Sequence, residues 1–377
     1  MITIQQVTTK KQQKQFVQFP LDLYKGNKCF VPPLYADELA MFKPNYVYNE
    51  QADSIWYLAY NEQGQVVGRI QGILQRAANE KWGQSRIRFT RFDAINDKEV
   101  ADKLFQAVEN WGRELGVQEI VGPLGYSDME REGLLIEGFE YLATFEEQYN
   151  YDYYQTLIED LGYQKDVDWL EHRLTLPEGG LDERIIRLSK KCMERYNLRF
   201  DETKSMKKFL KKYVNQIFDL IDYTYNELYG TVPLTEALKK QLLSQFKLLI
   251  RRKFISVIID EKDRIVAFGI GFPGIGEAVQ KSGGRLTIPT LLRLLPLLNK
   301  PKVVDLALIG VVGEYKNKGI SPAMLPLLAN MMSSVDYMET NLNLEDNHAI
   351  RNMWKNFGCI QHKRRRCYIK QLNPTQE

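Results

Sequence analysis

Histidine is nearly missing from this 377-residue chain, with three copies, and cysteine is scarce, with four. Cys29, Cys192, Cys359 and Cys367 form no C-x-x-C pair and no zinc-ligand spacing, which argues against a metal centre and a disulfide framework. Free thiols in a reducing cytoplasm are the expectation. Long apolar runs are also lacking. The longest leucine-rich stretch, Leu286 to Leu298, holds Arg293 and falls short of the ~20 residues of a membrane span, so no transmembrane segment is expected. Met1-Ile2-Thr3-Ile4 leads into a stretch rich in lysine and glutamine and not into a secretory leader. A net charge of only +3 is too small to suggest a nucleic-acid partner. The G-x-x-x-x-G-K-[ST] spacing of a nucleoside-triphosphate loop does not occur.

What is present is a globular composition, 44% hydrophobic, 11% aromatic and 26% charged, in a chain long enough for two domains. A hairpin pattern from Ile55 to Gln75, a strand from Arg88 to Ile95, a helix from Lys98 to Leu115, a strand from Val117 to Val121, and a helix ended by Gly162 follow one another, with Asp168 to Leu176 closing the unit. The second half repeats this order: a hairpin from Phe254 to Phe272, a strand from Val303 to Val312, a helix beginning near Ser321, a strand from Met338 to Leu344, a helix ending at Gly358, and a last strand at Arg366 to Ile369. Leu157…Leu161-Gly162-Tyr163 matches Met353…Phe357-Gly358-Cys359 in spacing. Two copies of one α/β fold are expected, each a mixed central β-sheet flanked by helices, over residues 1–177 and 178–377. Residues 1–177 carry 18 basic against 27 acidic side chains and the remainder 33 against 21, so the halves have opposite signs. Residues 273–302 are an insertion in which Ile288 to Leu298 is apolar nearly all round. Such a helix must lie against the other domain, a partner chain, a lipid surface or an acyl chain; domain contact is the first expectation.

The most informative stretch is Val303 to Met332. A β-branched strand with Asp305 near its start runs into the cationic loop Tyr315-Lys316-Asn317-Lys318-Gly319, and Ser321-Pro322 reads as a capping hydroxyl and a proline at a helix start. A strand, a glycine-bearing loop and a fresh helix N-terminus make an anion site, to which two lysines add charge. This segment resembles motif A of the GNAT acyl-CoA N-acyltransferases, Q/R-x-x-G-x-G/A, with Lys316, Asn317, Lys318, Gly319, Ile320 and Ser321 at the six positions. Asn347 to Cys359 resembles the family's motif B, N-x-x-A-x-x-x-Y-x-x-x-G-F: Asn347 and Gly358 match, while Ile350, Trp354 and Cys359 replace the alanine, tyrosine and phenylalanine.

The resemblance implies transfer of an acyl group, acetyl by default, from acyl-CoA to a small-molecule amine or a peptide. It implies that the loop and Asn347 hold the coenzyme and that Gly310, Val311 or Val312 offers a backbone N–H to the thioester carbonyl. Asp305, the only acid in the central strand before Glu314, is the candidate base. Asn341 and Asn343, on one strand face, are candidates for the acceptor cleft. The acid for the leaving thiolate is open. Trp354 has no proton to give near neutral pH, and Cys359, Tyr337, Tyr368 or solvent can stand in. Asn96 to Asp102, the first copy's counterpart of the cationic loop, has no glycine and three acids, so one coenzyme per chain is expected, with the first copy shaping the acceptor site. Trp354 also leaves room for a catalytically silent, GNAT-like binding protein.

Overall fold

The computed structural model describes residues 1–372 other than 317 and 319. The first half runs β1 (Thr3–Gln6), α1 (Lys10–Leu23), α2 (Tyr35–Ala40), β2 (Ala52–Tyr60), β3 (Val66–Gln75), α3 (Arg76–Trp82), β4 (Arg86–Ala94), α4 (Lys98–Glu114), β5 (Glu119–Gly122), β6 (Leu134–Glu137), α5 (Tyr153–Glu159) and β7 (Gln164–Thr175). The second runs α6 (Glu183–Arg195), β8 (Arg199–Phe200), α7 (Met206–Tyr225), α8 (Glu236–Phe246), β9 (Ile255–Ile259), β10 (Ile265–Pro273), α9 (Gly276–Ser282) and α10 (Ile288–Asn299). It ends with β11 (Val303–Val311), α11 (Gly313–Lys316), α12 (Ser321–Met332), β12 (Tyr337–Thr340), β13 (Asn343–Leu344), α13 (His348–Trp354) and β14 (Gly358–Gln371). The repeat is plain in this order. Each half has an antiparallel hairpin, a central strand, a helix, a parallel neighbour (β4 with β5, β11 with β12), a short helix and a long last strand.

The halves build one sheet, in the order β1-β2-β3-β4-β5-β14-β7-β12-β11-β10-β9-β8. The sequence leads one to expect each last strand to close its own unit. Instead the two are exchanged: β7 pairs with β12 of the second half, β14 with β5 of the first, and β7 with β14. Charge pairing holds that seam in register. Lys363 and Arg365 are buried on one side of β14. Lys363 Nζ lies 3.3 Å from Glu339 and 3.5 Å from Glu171, and Arg365 Nε lies 2.5 Å from Glu171. A slip of one residue would carry both cations away from these carboxylates, and a buried charge without its partner costs about 3–5 kcal/mol.

Helix formation follows local chemistry. In α4, Val100, Leu104 and Val108 are fully buried at helical spacing, Asp97 caps the start through Glu99 N–H, and Gly116 takes φ 72° just past the end, a conformation that other residues adopt at a cost. Helix α12, its counterpart, buries Ala323, Met324, Leu328 and Met331 completely. Helix α10 departs from expectation. Thr290, Leu294 and Leu298 turn inward, but Ile288, Leu291, Leu292 and Leu295 are exposed, so contact between the halves covers only one side. Among the described residues no helix is long and apolar enough to cross a membrane, and no group of three metal-binding side chains comes together.

Candidate functional site

Strands β11 and β12 pair in parallel from Val303↔Tyr337 to Leu306↔Thr340 and then part. On its other side β11 stays paired with β10 as far as Val311, with a bulge at Ala307 where Ile270/Gly271 face Leu308/Leu306. The parting of the two strands leaves backbone groups of β11 without a strand partner. Ile309 N–H donates to the hydroxyl of Tyr225 at 3.1 Å, and that hydroxyl donates back to Ile309 O at 3.1 Å. Val312 N–H donates to Val266 O of the neighbouring hairpin. Successive N–H groups alternate sides along a strand, so Ile309 and Val311 face the opening and Gly310 and Val312 face β10. Of the three expected donors only Val311 points into the opening, joined by Ile309, which sequence spacing missed. Gly310 has a steric reason for being glycine: an added Cβ would lie 2.6 Å from the ring of Phe268.

A cavity of about 230 Å³ fills the opening. Its apolar wall comes from α7 and α8 (Phe209, Ile217, Ile221, Leu242, Phe246) and from the strands (Ile270, Phe272, Ala307, Leu308). Asn341, Asn343, Asn347 and Trp354 lie on another wall. The two acceptor candidates therefore share a cavity wall, although they do not share a strand. Strand β12 stops at Thr340, Asn341 Oδ1 accepts from Leu342 N–H, and Asn343 Oδ1 accepts from Trp354 Nε1 at 2.9 Å. Asn347 caps α13, accepting from Ile350 N–H at 3.1 Å. Cys359, Tyr337 and Tyr368 are absent from the described wall; Tyr368 sits in the core of the first half and donates to Glu159.

The remaining wall belongs to the first half, and it is acidic: Asp128, Glu130, Glu132, Glu146 and Glu147. Burial pushes the Glu146 carboxyl up to about 8, with the charge of Glu147 adding to the effect. Burial pushes Glu147 to about 8 as well, against the pull of Arg365, whose Nε is 3.6 Å away. Glu147 Oε2 is buried without a hydrogen-bond partner. Burial raises Asp128 to about 6. Asp305 is placed differently. It pairs in register with Glu339 outside the described cavity wall, and burial, then Glu339 and Glu146, raise its carboxyl well above the usual range. The acidic pair that faces the cavity instead, Glu146 and Glu147, lies in a loop with no periodic pattern to single it out.

At the far end of β11, Lys316 and Lys318 are exposed beside α12, and Lys318 Nζ sits 4.7 Å over the ring of Tyr315 and 5.7 Å over that of Tyr196. Ile320, not Ser321, occupies the capping position, and Ser321 and Pro322 are the first helical residues. Among the described residues no side chain caps this helix start, whereas Asp97 fills the equivalent place in the first half. Asn317 and Gly319 lie outside the described residues.

The geometry matches solved proteins in fold. A tandem GNAT protein from the clavulanic acid biosynthesis pathway superposes over the whole of both chains with a TM-score of 0.55 at 11% identity. A GCN5-related glucosamine N-acetyltransferase region of a fungal multi-domain β-N-acetylglucosaminidase superposes at 0.56 and 11% identity, over 98% of this chain and 38% of that one. This chain therefore has the tandem GNAT fold. No family model matches it. In sequence it is 28% identical to Protein YghO of Escherichia coli (strain K12), over 96% of this chain and 94% of that protein. It is 26% identical to the bacterial ceramide synthase of Caulobacter vibrioides (strain NA1000 / CB15N), over 97% and 96%.

Proposed function

We propose that the chain is an N-acyltransferase that takes an acyl group from acyl-CoA and joins it to a primary amine, with a long hydrocarbon chain on at least one substrate. The cavity carries the reading: it is apolar over most of its wall, and it brings a buried carboxyl oxygen without a hydrogen bond, Glu147 Oε2 with the Arg365 guanidinium 3.6 Å away, together with a strand edge that has N–H groups to offer. An engineered cavity of ~150 Å³ accepts a benzene ring, so about 230 Å³ is far more than an acetyl group fills. The second named relative supports the same class, since a ceramide is an amide of a long-chain amino alcohol.

In this mechanism Glu147, with Glu146 beside it, takes a proton from the attacking ammonium. The freed amine attacks the thioester carbonyl, the N–C bond forms and the C–S bond breaks. As the carbonyl oxygen gains charge it takes the N–H of Ile309 in place of the Tyr225 hydroxyl. Burial pushes that hydroxyl up to about 12, so it holds its proton at neutral pH; it hands that proton to the leaving thiolate as it takes the second proton of the attacking nitrogen, and ends protonated as it began. The lysines and the uncapped start of α12 receive the pyrophosphate, and Asp97 excludes a second coenzyme from the first half. The first half supplies the acidic wall and with it the acceptor site. Four free cysteines and an acyl-CoA substrate suit a cytoplasmic setting.

The test is product formation. Palmitoyl-CoA and a long-chain primary amine incubated with the full chain are expected to yield the amide by mass spectrometry, one free thiol per amide, and less product with acetyl-CoA. Trp354, buried and committed to Asn343, supports a second reading as a silent binding protein. Tight acyl-CoA binding with no amide across a panel of amines would establish that reading instead.

Coenzyme binding has its own measurement. Charged hydrogen bonds to phosphate are worth about 1.5–3 kcal/mol, so Lys318→Glu, which reverses the charge, is expected to weaken acyl-CoA binding at least tenfold. Calorimetry should return one site per chain. Two equivalent sites, or an unchanged affinity in the variant, would remove the loop from the coenzyme site.

A further inference from the structure

Helix α10 is apolar on both sides, and only its inner side is covered. Thr290, Leu294 and Leu298, at i, i+4 and i+8, are buried, the two leucines in the apolar core that includes the cavity residues Ile270 and Phe272. Ile288, Leu291, Leu292 and Leu295, at i, i+3, i+4 and i+7, form a second stripe, with exposures of 76, 41, 62 and 53%. Leu286, 48% exposed, extends that stripe toward the helix start. Four large aliphatic side chains on one helical stripe are not scattered surface leucines but a patch, and a patch of this kind marks an interaction face.

The charges on the segment that carries the stripe are of one sign. Residues 278–304 contain Lys281, Arg285, Arg293, Lys300 and Lys302 and no acidic residue, and all five cations are exposed. Arg285 is held in place, its guanidinium 4.1 Å over the ring of Tyr35 and one nitrogen 3.0 Å from Gln18 Oε1. The loop after α1, with exposed Lys25 and Lys28, is tied to α9 by Gln280, whose amide donates to the carbonyls of Lys28 and Phe30.

We infer that the outer face of α10 is a membrane-docking surface that lies in the headgroup region of an anionic bilayer, its leucine stripe among the upper acyl chains and its cations on lipid phosphates. An apolar helical stripe flanked by Lys and Arg is the chemistry of an interfacial helix, and a basic border answers the negative surface of an anionic leaflet. At 12 residues α10 is too short to span, so it lies on the surface. A flat, cation-bordered stripe fits a bilayer better than a second copy of this chain, because self-association would set these like charges against one another across a two-fold axis. The inference does not depend on the acyltransfer reading.

The experiment uses no activity readout, so its failure and that of the proposed reaction are told apart. The full-length chain is sedimented with phosphatidylcholine vesicles and with vesicles containing phosphatidylglycerol. Wild type is expected to bind the anionic vesicles at least tenfold more tightly than the neutral ones and to release on addition of salt. Leu292→Glu/Leu295→Glu, at exposed positions, is expected to lose vesicle binding more than tenfold with an unchanged thermal melt, and Arg293→Glu/Lys300→Glu to lose it in part. Equal binding by wild type and the leucine variant, or no binding by wild type to either vesicle, would overturn the proposal. So would a dimer by light scattering that Leu292→Glu converts to monomer, since that result gives the face to a second copy.

Discussion

Ala307→Phe is expected to shift the proposed acyltransfer from long-chain to short-chain substrates. Ala307 sits at the bulge of β11 and lines the cavity, so a phenyl ring there would occupy much of its 230 Å³. If the ring displaces about four methylenes of a bound chain, each worth about 0.8 kcal/mol, the loss is about 3 kcal/mol. That corresponds to a fall in kcat/KM on the order of 10²-fold for palmitoyl-CoA, while short acyl chains react as before. Rates measured across acyl-CoA and amine chain lengths check it and also say which substrate owns the cavity. A uniform fall at every length would mean a general disturbance, and an unchanged profile would mean that the chain lies elsewhere.

The residues explain which parts of this picture are legible in the sequence. Local periodicity carries the repeat, because β10 and β11 are nearly uncharged runs with one acid, Asp305, between them and α4 keeps its apolar side chains at helical spacing. It does not carry the exchange of β7 and β14. The pairing of the two strands is fixed by contacts such as Glu171 with Lys363 and Arg365, which span 192 and 194 positions in the numbering. The alternation along Lys363-Arg364-Arg365-Arg366 is readable. That two of these cations are buried is not, because burial depends on strands from both halves.

The candidate site divides in the same way. The cationic loop, Asn341 and Asn343 stand out by residue type, and both asparagines line the cavity. Glu146 and Glu147 sit in the irregular stretch between β6 and α5, where neither spacing nor composition separates them from solvated acids. Their importance comes from the far half of the chain, which closes over them. Of the expected N–H groups only that of Val311 faces the opening, with Ile309 added, and the register that decides this includes the bulge at Ala307, a one-residue irregularity that no propensity announces. Helix α10 shows the converse: its all-round apolar character is legible, and only the fold reveals that half of it is left uncovered.

The other large effect expected is on proton transfer. Glu147→Gln keeps the size of the side chain and removes the base, and general-base catalysis typically contributes about 10²–10⁴-fold, so kcat should fall by that order with acyl-CoA affinity unchanged. The wild-type rate should rise with pH and level off above about 8, where Glu147 is ionised. The substrate amine also loses its proton as pH rises, but an alkylammonium does so near 10.4; the variant should keep only that later rise. Stability supplies an independent reading with a defined sign. The carboxyl holds its proton in the folded chain up to about 8 and loses it near 4.3 when unfolded. The folded state therefore binds the extra proton between those values, and this group's contribution makes stability fall as pH rises through the window. Glu147→Gln removes that contribution, so the variant should melt lower than wild type by less at pH 8.5 than at pH 5, or melt higher. Full activity in Glu147→Gln would take the base role from this residue, and a matching loss in Glu146→Gln alone would give it to its neighbour.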